Sequence, residues 1–267
     1  MLHLELMELA DLVRPEQIVD EIVRQNPDLP LPVPVEDLAR LAGITKIDAF
    51  STGGFEGALV TNAAKSEGAI FYSGRSPKAR QRFTVGHELG HFLLPWHRRS
   101  SFQCVSEDVG FSSTTKTEWE VQANEFAAAL LMPPSVVKRR LQALGEPELA
   151  HILRLRDEFG TSTEMTARRL VELSEYACAV VFSRDNIVRY SVRSQYFAPW
   201  LCVRKGDRLP QKSLSRLSSS DPDEWHELDG QWWLEEQCDE EMPESVYEQT
   251  LLQENGHKMT LVTYEPA

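Results

Sequence analysis

Apolar residues recur at helical spacing in two short segments near the start of the chain, residues 15–25 and 35–42. In the first segment Ile18 and Ile22 fall on one helical face, and the second segment has a similar stripe and stops at Gly43. Apolar side chains three and four positions apart form one face of an α-helix, and glycine commonly follows its last turn. The pattern predicts two amphipathic helices.

Three short stretches that follow are typical of strands, because they are rich in β-branched and aromatic residues. They cover residues 45–50, 57–61 and 69–72, and the polar residues 62–68 form a turn-rich connection between the last two. We therefore predict a small sheet that contains a hairpin. The strand at 69–72 is also a candidate edge, to which an extended peptide can add as a further strand.

The longest helical segments lie in the middle of the chain. Residues 77–94 and 117–132 are predicted helices, and each is followed directly by proline, which cannot continue a helix. Residues 96–116 between them are polar and rich in serine and threonine, so we predict a loop there, and a further helix at 134–143. A loop of this length in a compact domain is often functional.

Residues 148–175 have the pattern of a helix–turn–helix, with the turn at residues 160–162. From residue 176 onward the pattern changes to strand-like segments joined by proline, serine and aspartate. These segments are 178–182, 187–192, 201–203, 231–235, 246–254 and 259–264. The change predicts an α+β protein whose C-terminal part contains a mostly antiparallel sheet.

The net charge of the chain indicates which classes of molecule it can bind. The chain of 267 residues has a formal net charge of −13, which disfavours direct binding of nucleic acid, because phosphate attraction needs a basic surface. Its 4 cysteines are scattered and form no CxxC pair, as expected of reduced thiols in a cytosol. We see no signal-peptide pattern and no apolar run of membrane-spanning length. We expect a soluble cytoplasmic protein with no membrane partner.

The candidate chemistry is concentrated in the helix at 77–94, which contains His87-Glu88-Leu89-Gly90-His91. Positions i and i+4 of an α-helix lie on one face, so His87 and His91 can offer two imidazole nitrogens to one metal ion. Glu88 lies beside them and can take a proton from metal-bound water. This H-E-x-x-H spacing is the signature of zinc peptidases.

A catalytic zinc site usually takes three protein ligands and keeps a fourth position open for water. His97 is one candidate for the third ligand, because it follows His91 by six residues, as in the extended histidine motif of metzincins. That motif has a glycine three residues after the second histidine, and this chain has Leu94 there. The broken pattern argues against His97.

The helix at 117–132 offers carboxylates instead. Glu120 shares a small, mostly apolar face with Asn124 and Ala127, so this helix can pack against the motif helix and bring a carboxylate to the metal. Two histidines and a glutamate on two helices form a thermolysin-type ligand set. Spacing favours Glu120 over Glu118, and it leaves open whether both are solvated acids in the first turn.

Two stretches together resemble the ImmA/IrrE family of metallo-endopeptidases. They read RQRFTVGHELGHFLL at residues 80–94 and EVQANEFAAALLMP at residues 120–133, and the resemblance extends over residues 15–175. It implies that His87, His91 and Glu120 are the metal ligands of a gluzincin-type site and that Glu88 is the catalytic acid/base. Such a ligand set accepts Zn²⁺, and Mn²⁺ or Fe²⁺ also fits.

The resemblance also implies a biological role. Members of this family are cytosolic bacterial or phage proteins that cleave helix-turn-helix repressors, or relieve repression by them, and so control stress-response or mobile-element genes. We therefore expect hydrolysis of a peptide bond in such a repressor. Many members carry an N-terminal DNA-binding domain, and we expect a separate protein as the partner here. The sequence does not give the oligomeric state.

We predict three parts: a zincin-like metallopeptidase domain at residues 1–145, a helix-turn-helix-like segment packed on it at 146–175, and a C-terminal α/β sensor or substrate-recognition domain at 176–267. The alternative function is a DNA-binding or ligand-sensing transcriptional regulator with a structural metal site. The helix pair offers four arginines for DNA: Arg154, Arg156, Arg168 and Arg169. Three C-terminal tryptophans are more typical of a core than of a ligand cage: Trp225, Trp232 and Trp233.

Overall fold

The structure is a computed structural model that describes residues 1–51, 56–98, 101–104, 117–216, 221–235 and 242–265, with the backbone alone at 101–104. Contacts divide the chain into two compact units. The first unit comprises Met1–Val136 with Asp157–Ser162, and the second comprises Val137–Arg156 with Thr163–Ala267. The three-part domain division of the sequence stays a prediction. Within the described residues, no helix is long and apolar enough to cross a membrane.

The first unit combines helices with a four-stranded sheet. Its elements are α1 (Pro15–Gln25), α2 (Val35–Ala42), β1 (Ile44–Phe50), β2 (Gly57–Thr61), β3 (Gly68–Ser73), α3 (Lys78–Leu93), β4 (Ser101–Cys104) and α4 (Glu118–Leu131). The structure confirms every helix and strand predicted in this region. The strand β4 corrects the prediction of a loop at 96–116, and the parts of that loop at 99–100 and 105–116 lie outside the described residues.

The strand order β1-β3-β2-β4 places β3 inside the sheet. β3 pairs in parallel with β1 and antiparallel with β2, which confirms the predicted hairpin. The prediction that 69–72 forms an edge was wrong, because neighbouring strands occupy both of its hydrogen-bonding sides. The end strands of the described sheet are β1 and β4.

The two central helices, α3 and α4, approach each other closely because small residues face one another. A Cβ atom added to Gly86 would lie 3.5 Å from the Cβ of Ala127, and one added to Gly90 would lie 3.0 Å from Cδ1 of Phe126. Every residue of α3 from 83 to 92 is buried. The alanine-rich face of α4 therefore meets the motif helix, as its sequence predicted.

The second unit is built on an antiparallel sheet. The remaining elements are α5 (Pro134–Leu144), α6 (Leu149–Phe159), α7 (Thr163–Leu173), β5 (Cys178–Arg184), β6 (Ile187–Arg193), β7 (His226–Asp229), β8 (Ser245–Leu252) and β9 (His257–Thr263). The strand order is β6-β5-β9-β8-β7, and every neighbouring pair is antiparallel. The α+β fold class and the mostly antiparallel C-terminal sheet are confirmed.

Two strands predicted in the second unit were wrong. Residues 201–203 hold only an isolated bridge between Leu201 and Leu234, and 231–235 begins inside the 3-10 helix Gly230–Trp232. Their apolar residues are nevertheless used, because Leu201, Trp233 and Leu234 all belong to the core of the unit. An apolar run can thus mark a buried turn as well as a strand.

Candidate metal centre

Three side chains from two helices converge on one point of the first unit. Nε2 of His87 lies 3.1 Å from Nε2 of His91. The carboxylate oxygens of Glu120 lie 3.1 Å from His87 Nε2 and 3.4 Å from His91 Nε2. Among the residues that the structure describes, no other group of three or more histidine, cysteine or acidic side chains is close enough together to hold a metal ion.

The local structure explains this convergence. His87 and His91 lie one turn apart on α3 and are fully buried, while Glu120 lies in the first turn of α4. The close contact of the two helices brings the carboxylate beside the imidazoles. Only the Glu120 side chain, which is 16% exposed, connects the cluster with solvent. Sequence spacing predicted this choice over Glu118, whose carboxylate instead accepts a hydrogen bond from Gln122 Nε2.

The pKa shifts of the cluster favour the protonation states that a metal ion requires. Burial lowers the pKa of His91 to about 4, with a smaller contribution from His87, so its imidazole is neutral at pH 7. Burial acts to raise the pKa of Glu120, but contacts with His87 and His91 outweigh it and the pKa is lowered. Metal ligands must be neutral imidazoles and ionised carboxylates. These two groups meet that requirement without further change.

The distances also fit a metal ion. Ligand bonds of about 2.0–2.2 Å in a tetrahedral site place neighbouring ligand atoms roughly 3.3 Å apart. The two imidazole nitrogens are 3.1 Å apart, and one carboxylate oxygen of Glu120 lies 3.1 Å from the first while the other oxygen lies 3.4 Å from the second. Two imidazoles and a carboxylate are hard-to-borderline donors that suit Zn²⁺, Mn²⁺ or Fe²⁺. His87, His91 and Glu120 can therefore hold a metal ion.

His97 does not join the three ligand atoms. Its Nδ1 lies 2.9 Å from Nδ1 of His91, which is on the opposite side of the His91 ring from the Nε2 atom in the cluster. Its Nε2 lies 2.9 Å from Oε1 of Gln122, and its ring stacks on Trp119 with centroids 5.1 Å apart. The structure is consistent with the sequence argument, based on Leu94, that His97 is not a metzincin-type ligand. His97 instead contacts the Nδ1 side of the His91 ring.

A chain of hydrogen bonds sets the tautomer of His91. The indole Nε1 of Trp96 is only a donor, and it lies 2.6 Å from Oε1 of Gln122, which must accept. Nε2 of His97 faces the same oxygen and must therefore donate, which leaves its Nδ1 as an acceptor. Nδ1 of His91 must then carry the proton. The free lone pair of His91 is consequently on Nε2, the atom that faces the cluster.

A contact with Asn124 sets the tautomer of His87. Its Nδ1 lies 3.2 Å from Oδ1 of Asn124, one helical turn after Glu120 on α4. Donation from Nδ1–H to this oxygen leaves the lone pair of His87 on Nε2. Sequence reasoning placed Asn124 on the face of Glu120 without assigning it a role. The signal that could have identified it is its i+4 spacing from a candidate ligand.

Lys65 holds the end of α3 from the turn between β2 and β3. Its Nζ donates to the backbone oxygens of His91, Leu94 and His97 at 2.7, 3.0 and 3.1 Å. Burial lowers the pKa of Lys65 to about 8, which is still compatible with a charged ammonium at pH 7. A cation at a helix C-terminus satisfies carbonyls that have no partner in the helix. Sequence analysis missed this residue, because nothing in a polar turn indicates a long-range contact.

Glu88 points toward the sheet and is fully buried. A Cβ atom added to Gly57, the first residue of β2, would lie 2.6 Å from Oε1 of Glu88 and 2.4 Å from Cγ2 of Thr84. Such distances are too short for real contacts, so the space that Glu88 occupies depends on a glycine at this position. The strand β2 and the motif helix therefore share one tightly fitted contact at the candidate catalytic carboxylate.

Part of the chain matches the model of a known protein family. Residues 46–171 match the model of a family described as Peptidase_M78, IrrE N-terminal-like domain. No curated protein matches the chain. Among solved structures, a Mycobacterium tuberculosis transcriptional regulator aligns with 97% of this chain and 74% of its own, at 12% identity and a TM-score of 0.42. The matched residues 46–171 include both helices of the candidate metal centre.

Proposed function

Because residues 46–171 belong to the IrrE N-terminal-like family of M78 peptidase domains, as the ImmA/IrrE resemblance implied, we propose that the protein is a metal-dependent endopeptidase. His87, His91 and Glu120 are the proposed metal ligands, and Glu88 is the proposed acid/base. The observation that carries the proposal is the convergence of two imidazoles and a carboxylate inside this domain, where one ligand atom from each of the three residues lies within 4.8 Å of the others.

The chain's own residues would perform distinct tasks. A Zn²⁺ ion in such a site lowers the pKa of bound water towards about 7 and polarises the scissile carbonyl. His97 and Asn124 would orient the imidazoles of His91 and His87 through their Nδ1 atoms, which leaves each Nε2 available as a ligand atom. Glu88, adjacent to His87, takes the proton of the attacking water and delivers it to the leaving amine, a role that contributes about 10²- to 10⁴-fold to rate.

The sheet offers a place for an extended substrate. Among the described residues β4 is an end strand of the sheet, and its register with β2 sets Cys104 opposite Gly57, the residue that contacts Glu88. A peptide added along β4 would form main-chain hydrogen bonds, the mode by which sheet edges recognise extended peptides. This proposal replaces the strand at 69–72, which lies inside the sheet.

The proposed substrate is a helix-turn-helix transcriptional repressor, whose cleavage would control stress-response or mobile-element genes. Its support is the family resemblance and the net charge of −13, which favours a protein partner over nucleic acid. In the helix pair α6–α7, Arg169 is buried and Arg168 pairs with Glu172 at 2.9 Å. Neither is well placed to contact DNA. A cytoplasmic location belongs to the same proposal and is supported by the free thiols of Cys178 and Cys202.

The substrate need not be known to test this proposal. Wild-type protein and Glu88→Gln, each loaded with Zn²⁺, are incubated with a cell extract of the source, and newly formed peptide N-termini are identified by labelling and mass spectrometry. We expect new termini with the wild type and none with Glu88→Gln, while metal content is equal in both. Glu118→Gln is the matched control and should cleave like the wild type.

The outcomes separate the parts of the proposal. Termini that persist with Glu88→Gln would overturn the role of Glu88. If the wild-type protein with full Zn²⁺ occupancy produces no new termini, the proposed endopeptidase activity would be refuted. If none of the new termini lies in a helix-turn-helix protein, the endopeptidase activity would be supported and the proposed repressor substrate would be refuted.

A further inference from the structure

The second unit contains a cavity of about 480 Å³ at one end of its sheet. Tyr247 of β8 and Thr263 of β9 are directly paired across the sheet and so present their side chains on the same face, where both line the cavity. The loop between α5 and α6 and the segment between α7 and β5 supply further walls. Cavities that bind small molecules commonly measure about 300–1,000 Å³, so the size suits a ligand.

Aromatic rings form much of the lining. Five of the lining residues are aromatic: Tyr176, Tyr196, Trp225, Tyr247 and Tyr264. Tyr176, Tyr196 and Trp225 are 43%, 47% and 38% exposed. These side chains differ from the fully buried Trp233 of the core. The sequence favoured a core over a ligand cage for the C-terminal tryptophans, and Trp225 is not part of that core. Several large exposed aromatics around one concavity indicate a binding surface rather than a core.

One ring of the cavity is fixed by hydrogen bonds. The hydroxyl of Tyr264 accepts from the backbone N–H of Ala198 at 3.1 Å and donates to the backbone oxygen of Tyr196 at 3.4 Å. Its ring also packs edge-on against Phe197, with centroids 5.1 Å apart. Part of the aromatic wall is therefore preorganised, which reduces the entropy lost when a ligand binds.

The charges that line the cavity are all of one sign. The lining contains four carboxylates, Glu146, Glu148, Glu175 and Glu265, and no lysine, arginine or histidine among the residues described. Aromatic faces carry negative electrostatic potential and attract cations. Carboxylates and ring faces together repel an anion. A neutral ligand would not balance the negative charge of the four glutamates. The lining chemistry therefore matches a cation.

The arrangement of the acids decides what kind of cation. Within the described residues, only His87, His91 and Glu120 lie close enough together to hold a metal ion, so these four carboxylates do not converge on one point. A divalent metal ion needs several oxygens at about 2.3–2.6 Å, as Ca²⁺ does. Dispersed acids between aromatic faces suit a larger cation whose charge is delocalised or shielded by alkyl groups.

We infer that this cavity binds a small organic cation of the guanidinium or alkylammonium class. The aromatic rings contact the cation's flat or alkylated surface, and the glutamates balance its charge from the rim. Arg193, in the same unit, shows the geometry: its guanidinium lies 4.0 Å from the ring centroid of Trp200. All of the lining residues belong to the second unit, and the inference does not depend on the proposed peptidase.

The test uses two probes of equal shape and different charge. Binding of butylguanidinium and of neutral butylurea to the full-length protein is measured by isothermal titration calorimetry at low ionic strength. We expect butylguanidinium to bind at least tenfold more tightly than butylurea, and its affinity to fall as salt is added, because salt screens charge attraction. Equal affinity for both probes, or no measurable binding of butylguanidinium at 10 mM, would overturn the inference.

Paired variants locate the site. Trp225→Leu keeps apolar volume and removes the ring, and Glu175→Gln keeps shape and removes a charge, so each should weaken butylguanidinium binding about tenfold. Trp200→Leu and Glu254→Gln change an exposed tryptophan and an exposed acid outside the lining, and should leave binding unchanged. Circular dichroism checks that all four variants fold. Cavity variants that bind like the wild type, or controls that weaken binding equally, would place the cation elsewhere and refute the assignment.

Discussion

Nδ1 of His91 and Nδ1 of His97 lie 2.9 Å apart, and a hydrogen bond between them requires that one nitrogen carries the proton and the other does not. The donor-only indole of Trp96, acting through Gln122, assigns that proton to His91. The indole of Trp96, acting through Gln122 and His97, thus determines which nitrogen of a proposed ligand has a lone pair.

This relationship predicts the effect of two substitutions at His97. His97→Leu removes the acceptor and should lower zinc affinity about 10- to 100-fold, the range found when partners of metal-ligating histidines are removed. His97→Asn places an amide oxygen near the position of Nδ1 and should retain most of the affinity. The measurement is competition with a chromophoric chelator, and His3→Leu, which changes an exposed histidine, is the control.

The contrast between the two variants distinguishes positioning from packing. Asparagine is smaller than histidine, so a role in packing alone would make His97→Asn at least as harmful as His97→Leu. Equal losses of zinc affinity in both variants would contradict the assigned tautomers.

Gly57 predicts a defect in catalysis that leaves the metal in place. In Gly57→Ala the added Cβ would lie 2.6 Å from Glu88 Oε1 and 2.4 Å from Thr84 Cγ2, so both side chains must move. We expect metal content to be retained and cleavage, measured on the termini identified in the extract, to fall by about 10²-fold, because a shift of about 1 Å is enough for such a loss.

A double variant separates the two overlaps. Thr84→Ser removes the Cγ2 methyl, so adding it to Gly57→Ala should restore thermal stability but not cleavage, since the overlap with Glu88 remains. Thr84→Ser alone is the control. Full recovery of cleavage in the double variant would show that the contact with Glu88 is unimportant.

The lowered pKa of His91 predicts how the metal-free protein responds to acid. Burial sets the pKa at about 4 in the folded state, below the ordinary value of 6.5, so the unfolded chain binds the proton first as pH falls. The contribution of this group to stability is complete above about pH 6.5 and is lost as pH falls towards 4. At pH 5 the loss is on the order of 2 kcal/mol.

Urea unfolding of the protein in excess chelator, at pH 7.5 and pH 5, measures this effect. The wild type should lose more unfolding free energy between the two pH values than His91→Gln, which has no imidazole to titrate. An equal loss in both proteins would show that His91 is not held neutral by burial.

Most of the first unit could be predicted from local patterns, and the sheet order could not. Residues 57–61 and 69–72 were recognisable as a hairpin because a polar turn joins them directly. The parallel pairing of β1 with β3 brings together segments far apart in sequence and moves 69–72 from the edge to the interior. The four-residue strand β4 was missed because its identity depends on pairing with β2, not on its own composition.

For the candidate site, local patterns likewise predicted some residues and not others. His87, Glu88 and His91 follow from one helical turn, and Glu120 follows from the packing face of a second helix. The partners that orient them do not, because the contacts of Trp96, Gln122 and Lys65 depend on how the chain folds back after α3. The spacing of six residues made His97 a candidate ligand. Sequence spacing does not show which side of the His91 ring a neighbouring imidazole occupies, and His97 lies on the Nδ1 side.

Metal content of three purified proteins tests the central claim most directly: that two histidines of α3 and one carboxylate of α4 hold a metal ion. Wild type, Glu120→Gln and Glu118→Gln are dialysed against the same zinc buffer and measured by plasma mass spectrometry. We predict about one ion per chain in the wild type and in Glu118→Gln, and at least a tenfold lower affinity in Glu120→Gln. Full zinc occupancy in Glu120→Gln, with loss in Glu118→Gln, would contradict the proposed centre.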